Sequence, residues 1–249
     1  MSNHIDVNIA LGFGYHDETD DYKIVRILSL PVEEDVAKNK VEVYSLTENF
    51  WKDVEADYYP WELFDARSEI VVNESIHWKA IYQDTYEYIF VILSSHLVEE
   101  VFQQLCVPKY LCDGEDLMKY VGVYKGSLSL FVFPLVDQDP WDEKRYLWVM
   151  REYAGHGSWA KVHSVTISPG VVNPHTFTQN DEIVHDNGDD ESVVYHFDTN
   201  ITRVLIGRED QAFLDLVTYV GHAWGLKCTK RWCMSYLFKI VFRVFCSNA

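Results

Sequence analysis

The sequence predicts an all-β protein built as a β-propeller-like repeat of four-stranded antiparallel units. Short runs rich in Val, Ile, Tyr and Trp alternate apolar with polar residues, and acidic or Gly/Asn turns separate them. No segment before residue 209 has a helical apolar period of useful length. The strand-like runs also recur as a unit, and this repetition favours a propeller over a single irregular sheet.

The strand-like runs follow one another from residue 22 to residue 207. Aromatic residues make up 15% of the chain, which suits half-buried strands. We predict strands in YKIVRILSL, KVEVYSL, SEIVVN, SIHWKAI, YEYIFVIL, EEVFQQL, both halves of YVGVYKGSLSLFVF, RYLWVMRE, SWAKVHSV, DEIVHD, SVVYHFD and TRVLIG.

Two kinds of hairpin repeat along the chain. The first kind reads strand, tight turn, strand and occupies residues 41–54, 89–105, 147–162 and 193–205. The second kind precedes each of the last three, at residues 70–81, 121–133 and 175–186. Together they form a four-stranded unit that recurs every ~45–60 residues, as blades of a propeller do. Equally spaced strands also suit a β-sandwich, which is the alternative fold.

Four acidic residues, Asp17, Glu18, Asp20 and Asp21, lie between GFGYH and YKIVRI. Asp side chains hydrogen-bond nearby backbone amides and tolerate left-handed backbone, so we predict a hairpin tip here. A calcium loop would need oxygen ligands at fixed alternating positions, and the EF-hand glycine is missing. The Asn187-Gly188 pair predicts a second solvated tip within residues 185–192.

The formal net charge is −18. Such an acidic chain repels phosphate backbones, so we expect no nucleic-acid partner. Residues 225–249 reverse this pattern, because they hold five basic residues and no acidic ones. No secretory signal and no apolar run of about 18 residues is evident, so we do not expect a membrane partner.

The cysteines are five in number and form no CxxC pair: Cys106, Cys112, Cys228, Cys233 and Cys246. This pattern favours reduced thiols in a cytoplasmic or nuclear protein. A zinc site from Cys228, Cys233 and His222 is conceivable, but its spacing is irregular.

The sequence selects no catalytic, cofactor-binding or metal-binding residue. It lacks GxSxG, HExxH, P-loop and GxGxxG motifs, and its acids suggest no glycosidase pair. We interpret His77 as packed or hydrogen-bonded, and His156 as part of a turn. At the steps Trp51-Lys52 and Trp159-Ala160-Lys161, we expect Trp to pack between blades and Lys to face water.

Several stretches resemble one family, the F-box-associated domain of plant F-box proteins. The order and spacing of these stretches across most of the chain make the resemblance specific. The similar segments are GFGYHDETDDYKIVRI (12–27), VEVYSLTENFWKDV (41–54), VNESIHWKA (72–80), LWVMREYAGHGSWAKV (147–162) and AFLDLVTYVG (212–221).

The resemblance implies a propeller-like module that binds a protein substrate and has no catalytic residues or cofactors. Family members dock a Skp-type adaptor and a cullin through an F-box, which we do not find in these 249 residues. The chain starts at what would be the middle of a family member, so we expect an incomplete propeller that lacks N-terminal blades. We assign residues 1–224 to a partial F-box-associated domain. We interpret residues 225–249 as a divergent basic and aromatic tail, with a membrane-binding segment as the alternative.

The function that this resemblance implies is substrate recognition in an SCF-type ubiquitin ligase. The alternatives are a degenerate product without a ligase role and a propeller-type carbohydrate-active enzyme. No substrate contact is identified from sequence. The acidic tips Asp17–Asp21, Asp137–Glu143 and Asp186–Glu191 would favour basic partners.

Overall fold

In the computed structural model the described residues form four antiparallel β-sheets that follow one another in sequence. In three of these sheets the strands pair in chain order, and in the second sheet two short strands share the first position, so the predicted four-stranded repeat and the all-β, propeller-like fold are confirmed. The structure describes residues 8–30, 38–55, 61–63, 70–84, 87–112, 117–134, 144–155, 158–166, 174–177, 182–186 and 192–206. The assigned tail, residues 225–249, lies outside these ranges.

The strand boundaries agree with the predicted hairpins. The first sheet contains β1 (Asn8–His16), β2 (Asp21–Leu30), β3 (Lys38–Ser45) and β4 (Phe50–Val54). The second contains β5 (Trp61–Leu63), β6 (Ile70–Val72), β7 (Ser75–Asp84), β8 (Glu87–His96) and β9 (Phe102–Leu105), and a short helix, α1 (Lys109–Cys112), follows it. The third contains β10 (Leu117–Tyr124), β11 (Ser127–Pro134), β12 (Lys144–Met150) and β13 (Trp159–Thr166). The fourth contains β14 (Pro174–Phe177), β15 (Glu182–Asp186), β16 (Ser192–His196) and β17 (Ile201–Ile206).

The second sheet has an interrupted first strand. β6 pairs with the beginning of β7, where Ile70 lies opposite His77, and β5 pairs further along, where Trp61 lies opposite Tyr82. The two short strands therefore share one position in the sheet. β5 was not predicted from the sequence, because three residues are too few to show a strand period.

Each inner sheet buries both of its faces, and the alternation along β8 shows how. Val91 and Leu93 pack toward the first sheet, whereas Phe90 and Ile92 pack toward the third. Successive side chains on a strand point to opposite faces, so a strand buried on both sides reads as a continuous apolar run. This explains why residues 89–93 read IFVIL.

Among the described residues three apolar cores result, one between each pair of successive sheets. Burial of each large side chain stabilises the fold by about 1.5–3 kcal/mol. The first core includes Val25, Val43, Trp78 and Leu93; the second includes Ile92, Leu128, Leu130 and Trp159; the third includes Phe131, Leu147, Ile183 and Phe197.

Glycines in the first strands of two sheets allow the next sheet to approach closely. A Cβ on Gly12 of β1 would lie 2.4 Å from Cζ2 of Trp78, and a Cβ on Gly122 of β10 would lie 2.1 Å from Cδ2 of Phe177. Both distances are shorter than a van der Waals contact. The GFG segment of β1 therefore serves close packing. No helix in the described ranges has the length and apolarity that a membrane span requires.

Candidate protein-interaction face

The described tight turns gather at one edge of the sheets. In an antiparallel meander, the turn after the first strand and the turn after the third strand lie at the same edge. We call this edge the turn face and define it by residues 17–20, 46–49, 73–74, 97–101, 125–126, 151–155 and 197–200. The chain segments that join β2 to β3, β11 to β12 and β15 to β16 lie outside the described residues. The predicted tip Asp137–Glu143 and most of Asp186–Glu191 fall in those segments.

The acidic stretch Asp17–Asp21 forms the turn between β1 and β2, as predicted. Its members have different roles. Asp17 and Glu18 are exposed, whereas Asp21 is buried and accepts hydrogen bonds from Ser45 Oγ at 2.7 Å and from Thr47 N at 2.9 Å. Burial opposes the charged form of Asp21, but these hydrogen bonds outweigh it and lower the pKa of its carboxyl. Asp21 therefore ties two neighbouring turns together.

Three turns share a tyrosine-to-Asx hydrogen bond. The Asx residue lies five positions after the tyrosine and has a positive φ of 47°, 59° or 55°, a conformation that Asp and Asn tolerate. The sequences YHDETD, YSLTEN and YHFDTN carry this signal, which the sequence analysis did not extract. The hydrogen bonds run from Tyr15 to Asp20 (2.7 Å), from Tyr44 to Asn49 (2.7 Å) and from Tyr195 to Asn200 (2.5 Å).

The first of these hydrogen bonds has a measurable electrostatic consequence. The bond to the Asp20 carboxylate is the largest cause that raises the pKa of Tyr15 to about 12. The phenol therefore stays protonated and donates at every physiological pH.

We call the turn before the last strand of each sheet its outer turn. The outer turn of the second sheet, residues 97–101, contacts the first sheet through Glu100. Glu100 Oε1 accepts a hydrogen bond from Lys23 Nζ at 2.9 Å, and Lys52 Nζ contacts Oε2 of the same carboxylate. Burial opposes the charged form of Glu100, but the bonds from Lys52 and Lys23 outweigh it and lower the pKa of this carboxyl. The two lysines thus fix the turn that contains Glu100 to strands β2 and β4 of the first sheet.

The outer turn of the third sheet binds the second sheet through Tyr153. Its hydroxyl lies 2.8 Å from Nε2 of His77 and 2.8 Å from Oγ of Ser94. His77 Nδ1 faces the Ile70 carbonyl at 3.2 Å, so the ring donates there and accepts at Nε2. His77 is fully buried, and the prediction of a packed, hydrogen-bonded histidine is confirmed.

The outer turn of the fourth sheet binds the third sheet through Asp198. Its carboxylate contacts Lys125 Nζ at 3.1 Å and His163 Nε2 at 3.7 Å, and the Lys125 bond is the main cause that lowers the pKa of Asp198. Tyr124 OH also donates to Asp198 at 3.4 Å. Each outer turn therefore contacts the preceding sheet, and the turn face is one connected surface.

At the two Trp-Lys pairs the prediction is confirmed for Trp159 and for both lysines, Lys52 and Lys161, which are exposed, whereas Trp51 lies outside the apolar cores of the described residues. Trp51 packs on Arg26, whose Cζ lies 4.3 Å from the ring centroid, on the face of the first sheet away from the second. Lys52 has 58% of its side chain exposed and pairs with Glu100, because strand alternation points it toward the second sheet. Trp159 is buried between two sheets and donates Nε1–H to the Cys106 carbonyl at 2.9 Å.

The described residues hold no group of three or more His, Cys, Asp or Glu side chains that could bind a metal ion. The conceivable zinc set of Cys228, Cys233 and His222 lies outside the described ranges, as does His156. In the described part of the chain the carboxylates that are largely removed from water all accept hydrogen bonds from neighbouring side chains: Asp21, Glu42, Glu100 and Glu182. These acids serve the fold.

Comparison with known families decides the assignment. The family model for the F-box associated beta propeller domain matches residues 1–238. The chain belongs to this family. The match agrees with the observed repeat of four-stranded antiparallel sheets and with the resemblance seen in residues 12–221.

Named relatives come from Arabidopsis thaliana. "F-box protein CPR1" is 28% identical over 172 residues, which cover 63% of this chain and 40% of that protein. "F-box/kelch-repeat protein At3g23880" is 25% identical over 169 residues, which cover 66% of this chain and 41% of that protein. The match spans about two fifths of the length of these relatives.

Proposed function

We propose that this F-box-associated domain is a non-catalytic recognition module that selects a protein substrate for an SCF-type ubiquitin ligase. The supporting observation is the turn face, where hydrogen bonds and ion pairs between successive sheets hold the turns in one surface. Rigid scaffolds that present loops are the usual basis of recognition. The family and the F-box proteins among its relatives supply the ligase context.

The proposed division of labour leaves adaptor binding to an F-box outside the matched domain. A Skp-type adaptor and a cullin would bind there, and the domain described above would bind the target in the cytoplasm or the nucleus. The exposed acids of the turn face, among them Asp17, Glu18, Glu48 and Glu99, would steer basic targets toward it. No specific observation favours the carbohydrate-active alternative.

The test is target capture with charge-reversed variants. The tagged 249-residue chain and the variant Asp17→Lys/Glu18→Lys are expressed in plant cells, and co-purifying proteins are quantified. The control is Glu55→Lys/Glu62→Lys, which makes the same charge change on exposed residues away from the turn face. We expect a set of proteins that the wild type and the control retain and the turn-face variant loses.

A second readout connects capture to the ligase. Captured proteins should accumulate when the proteasome or the cullin is inhibited in cells that express the full-length protein. The proposed function would be contradicted if all three chains captured the same proteins. It would also be contradicted if the captured proteins were degraded at the same rate with and without cullin inhibition.

A further inference from the structure

The outer turns of the first and second sheets, with the strand residue that follows the first of them, each expose apolar side chains. The exposed fractions are 50% for Phe50, 46% for Val101, 39% for Val98 and 36% for Leu46. Single exposed apolar residues are ordinary, but a contiguous group marks a site of interaction. We call these four residues the rim patch.

Phe50 lies on the side of the first sheet that meets the turn holding Val98 and Val101. Phe50 and Lys52 are two positions apart on β4, so their side chains leave the same face of the strand. Lys52 Nζ contacts Glu100, and Glu100 lies between Val98 and Val101 in the neighbouring turn. The backbone N–H of Leu46 also donates to the Tyr22 carbonyl at 2.9 Å, which fixes the first turn.

The charges around the rim patch are acidic. Both lysines that approach it, Lys23 and Lys52, are engaged by the single carboxylate of Glu100. The exposed charges that surround the patch in the described turns are carboxylates: Asp17, Glu18, Asp20, Glu48, Glu74 and Glu99. An apolar surface with this border repels acidic segments and attracts basic ones.

We propose that the rim patch binds a short target segment in which bulky apolar residues alternate with Lys or Arg. The apolar side chains would cover Phe50 and Val98, and the cations would pair with Glu48, Glu99 and the acids of the β1–β2 turn. This inference deepens the proposed function and rests on it. It assigns target binding to the rim patch and to segments that combine apolar and basic side chains.

The fold provides a matched control position. Ile201 is the first residue of β17 and follows a turn of the same kind as the one before Phe50, because Asn49 and Asn200 have φ values of 59° and 55°. Ile201 is 60% exposed. Substitution to Glu at either site replaces an exposed apolar side chain at a strand start and adds one charge, so Ile201→Glu controls for these effects at a different location.

The direct test measures fluorescence anisotropy of three labelled peptides, about twelve residues each, against the 249-residue chain. One alternates Leu with Lys, one alternates Leu with Glu, and one alternates Ser with Lys. We expect binding of the Leu/Lys peptide only. Phe50→Glu should weaken it at least about tenfold, which corresponds to 1.4 kcal/mol, and Ile201→Glu should change it less than about twofold.

Two further measurements separate the alternatives. Equal binding of the Leu/Lys peptide by Phe50→Glu and wild type, or no binding, would refute the inference while target capture through the turn face still stood. If the turn-face variant captured the same proteins as the wild type, the proposed function itself would be contradicted. A wild-type dimer that Phe50→Glu converts to a monomer in sedimentation would show that a second copy of the chain covers the patch, which also refutes the inference.

Discussion

Tyr153 of the third sheet donates its hydroxyl hydrogen to Nε2 of His77 in the second sheet across 2.8 Å. The two rings meet edge to face, with centroids 5.7 Å apart. Because Tyr153 uses its hydrogen on His77, the Ser94 hydroxyl donates to the tyrosine oxygen. The interface between these sheets therefore requires a neutral imidazole.

The neutral form of His77 makes the fold sensitive to acid. Burial lowers the pKa of His77 from 6.5 to about 4. Between those two pH values the unfolded chain binds a proton at this residue and the folded chain does not, so stability falls as pH decreases and levels off below about 4. The expected loss from this residue is about 3 kcal/mol. Urea unfolding from pH 7 to pH 4 measures it.

The variant His77→Gln isolates this contribution. Gln cannot titrate, so its unfolding free energy, although lower at pH 7, should decline less steeply between pH 6.5 and pH 4 than that of the wild type. The difference between the two curves removes the effect of the carboxyl groups, which both chains share. Parallel curves would show that His77 does not titrate differently in the two states.

A second prediction concerns the close approach of Gly122 to Phe177. A methyl group at Gly122 would overlap the ring, so Gly122→Ala should destabilise the protein by about 1–3 kcal/mol. Phe177→Leu opens that space, and its cost should therefore be smaller in the Gly122→Ala background. The coupling energy from urea unfolding of the four chains measures this interaction.

Gly126 is the control position for this double-mutant cycle of Gly122→Ala and Phe177→Leu. Its φ is 73° and a methyl group added there would meet no atom within 4 Å, so Gly126→Ala costs backbone strain alone, about 1–2 kcal/mol. This strain should add to the effect of Phe177→Leu without coupling. A coupling energy as large at Gly126 as at Gly122 would contradict the steric explanation.

Local signals in the sequence were sufficient for the strands and the hairpins, and insufficient for the contacts between sheets. The alternation in residues 22–30 predicted β2, and the acids at residues 17–21 predicted its turn. The pairing of Lys23 with Glu100 joins residues 77 positions apart, and no periodicity encodes such a contact. The tyrosine-to-Asx pattern was present in the sequence, but only the observed geometry showed what the spacing means.

A third prediction tests that pattern at Asn49. Asn49→Ala removes the acceptor for Tyr44 and leaves a side chain that tolerates a positive φ less well than Asn does, so it should cost about 1–2 kcal/mol. Asn49→Gly accepts the conformation and loses only the hydrogen bond, so it should cost less. Urea midpoints give the comparison.

The hydrogen-bond part of that cost has its own check. In the Asn49→Gly background, Tyr44→Phe should cost little, because its partner is already absent. In the wild-type background the same change should cost about 0.5–1.5 kcal/mol. Equal effects of Tyr44→Phe in both backgrounds would refute the bond between Tyr44 and Asn49.

The last prediction concerns Glu100, whose carboxylate joins the first two sheets. Lys23 has only 11% of its side chain exposed, so Glu100→Gln leaves a nearly buried ammonium without its counter-ion and should cost about 2–4 kcal/mol. Lys52 has 58% of its side chain exposed, so Lys52→Met should cost less than about 1 kcal/mol. Because the pKa of the Glu100 carboxyl is lowered, its contribution is present above the ordinary carboxyl pKa and disappears as pH falls through the lowered value. Unfolding free energies of the wild type and both variants at pH 7 test the two costs, and the same measurements in acid test the loss of the Glu100 contribution. A larger loss of stability from Lys52→Met than from Glu100→Gln would mean that Lys23 does not depend on this carboxylate.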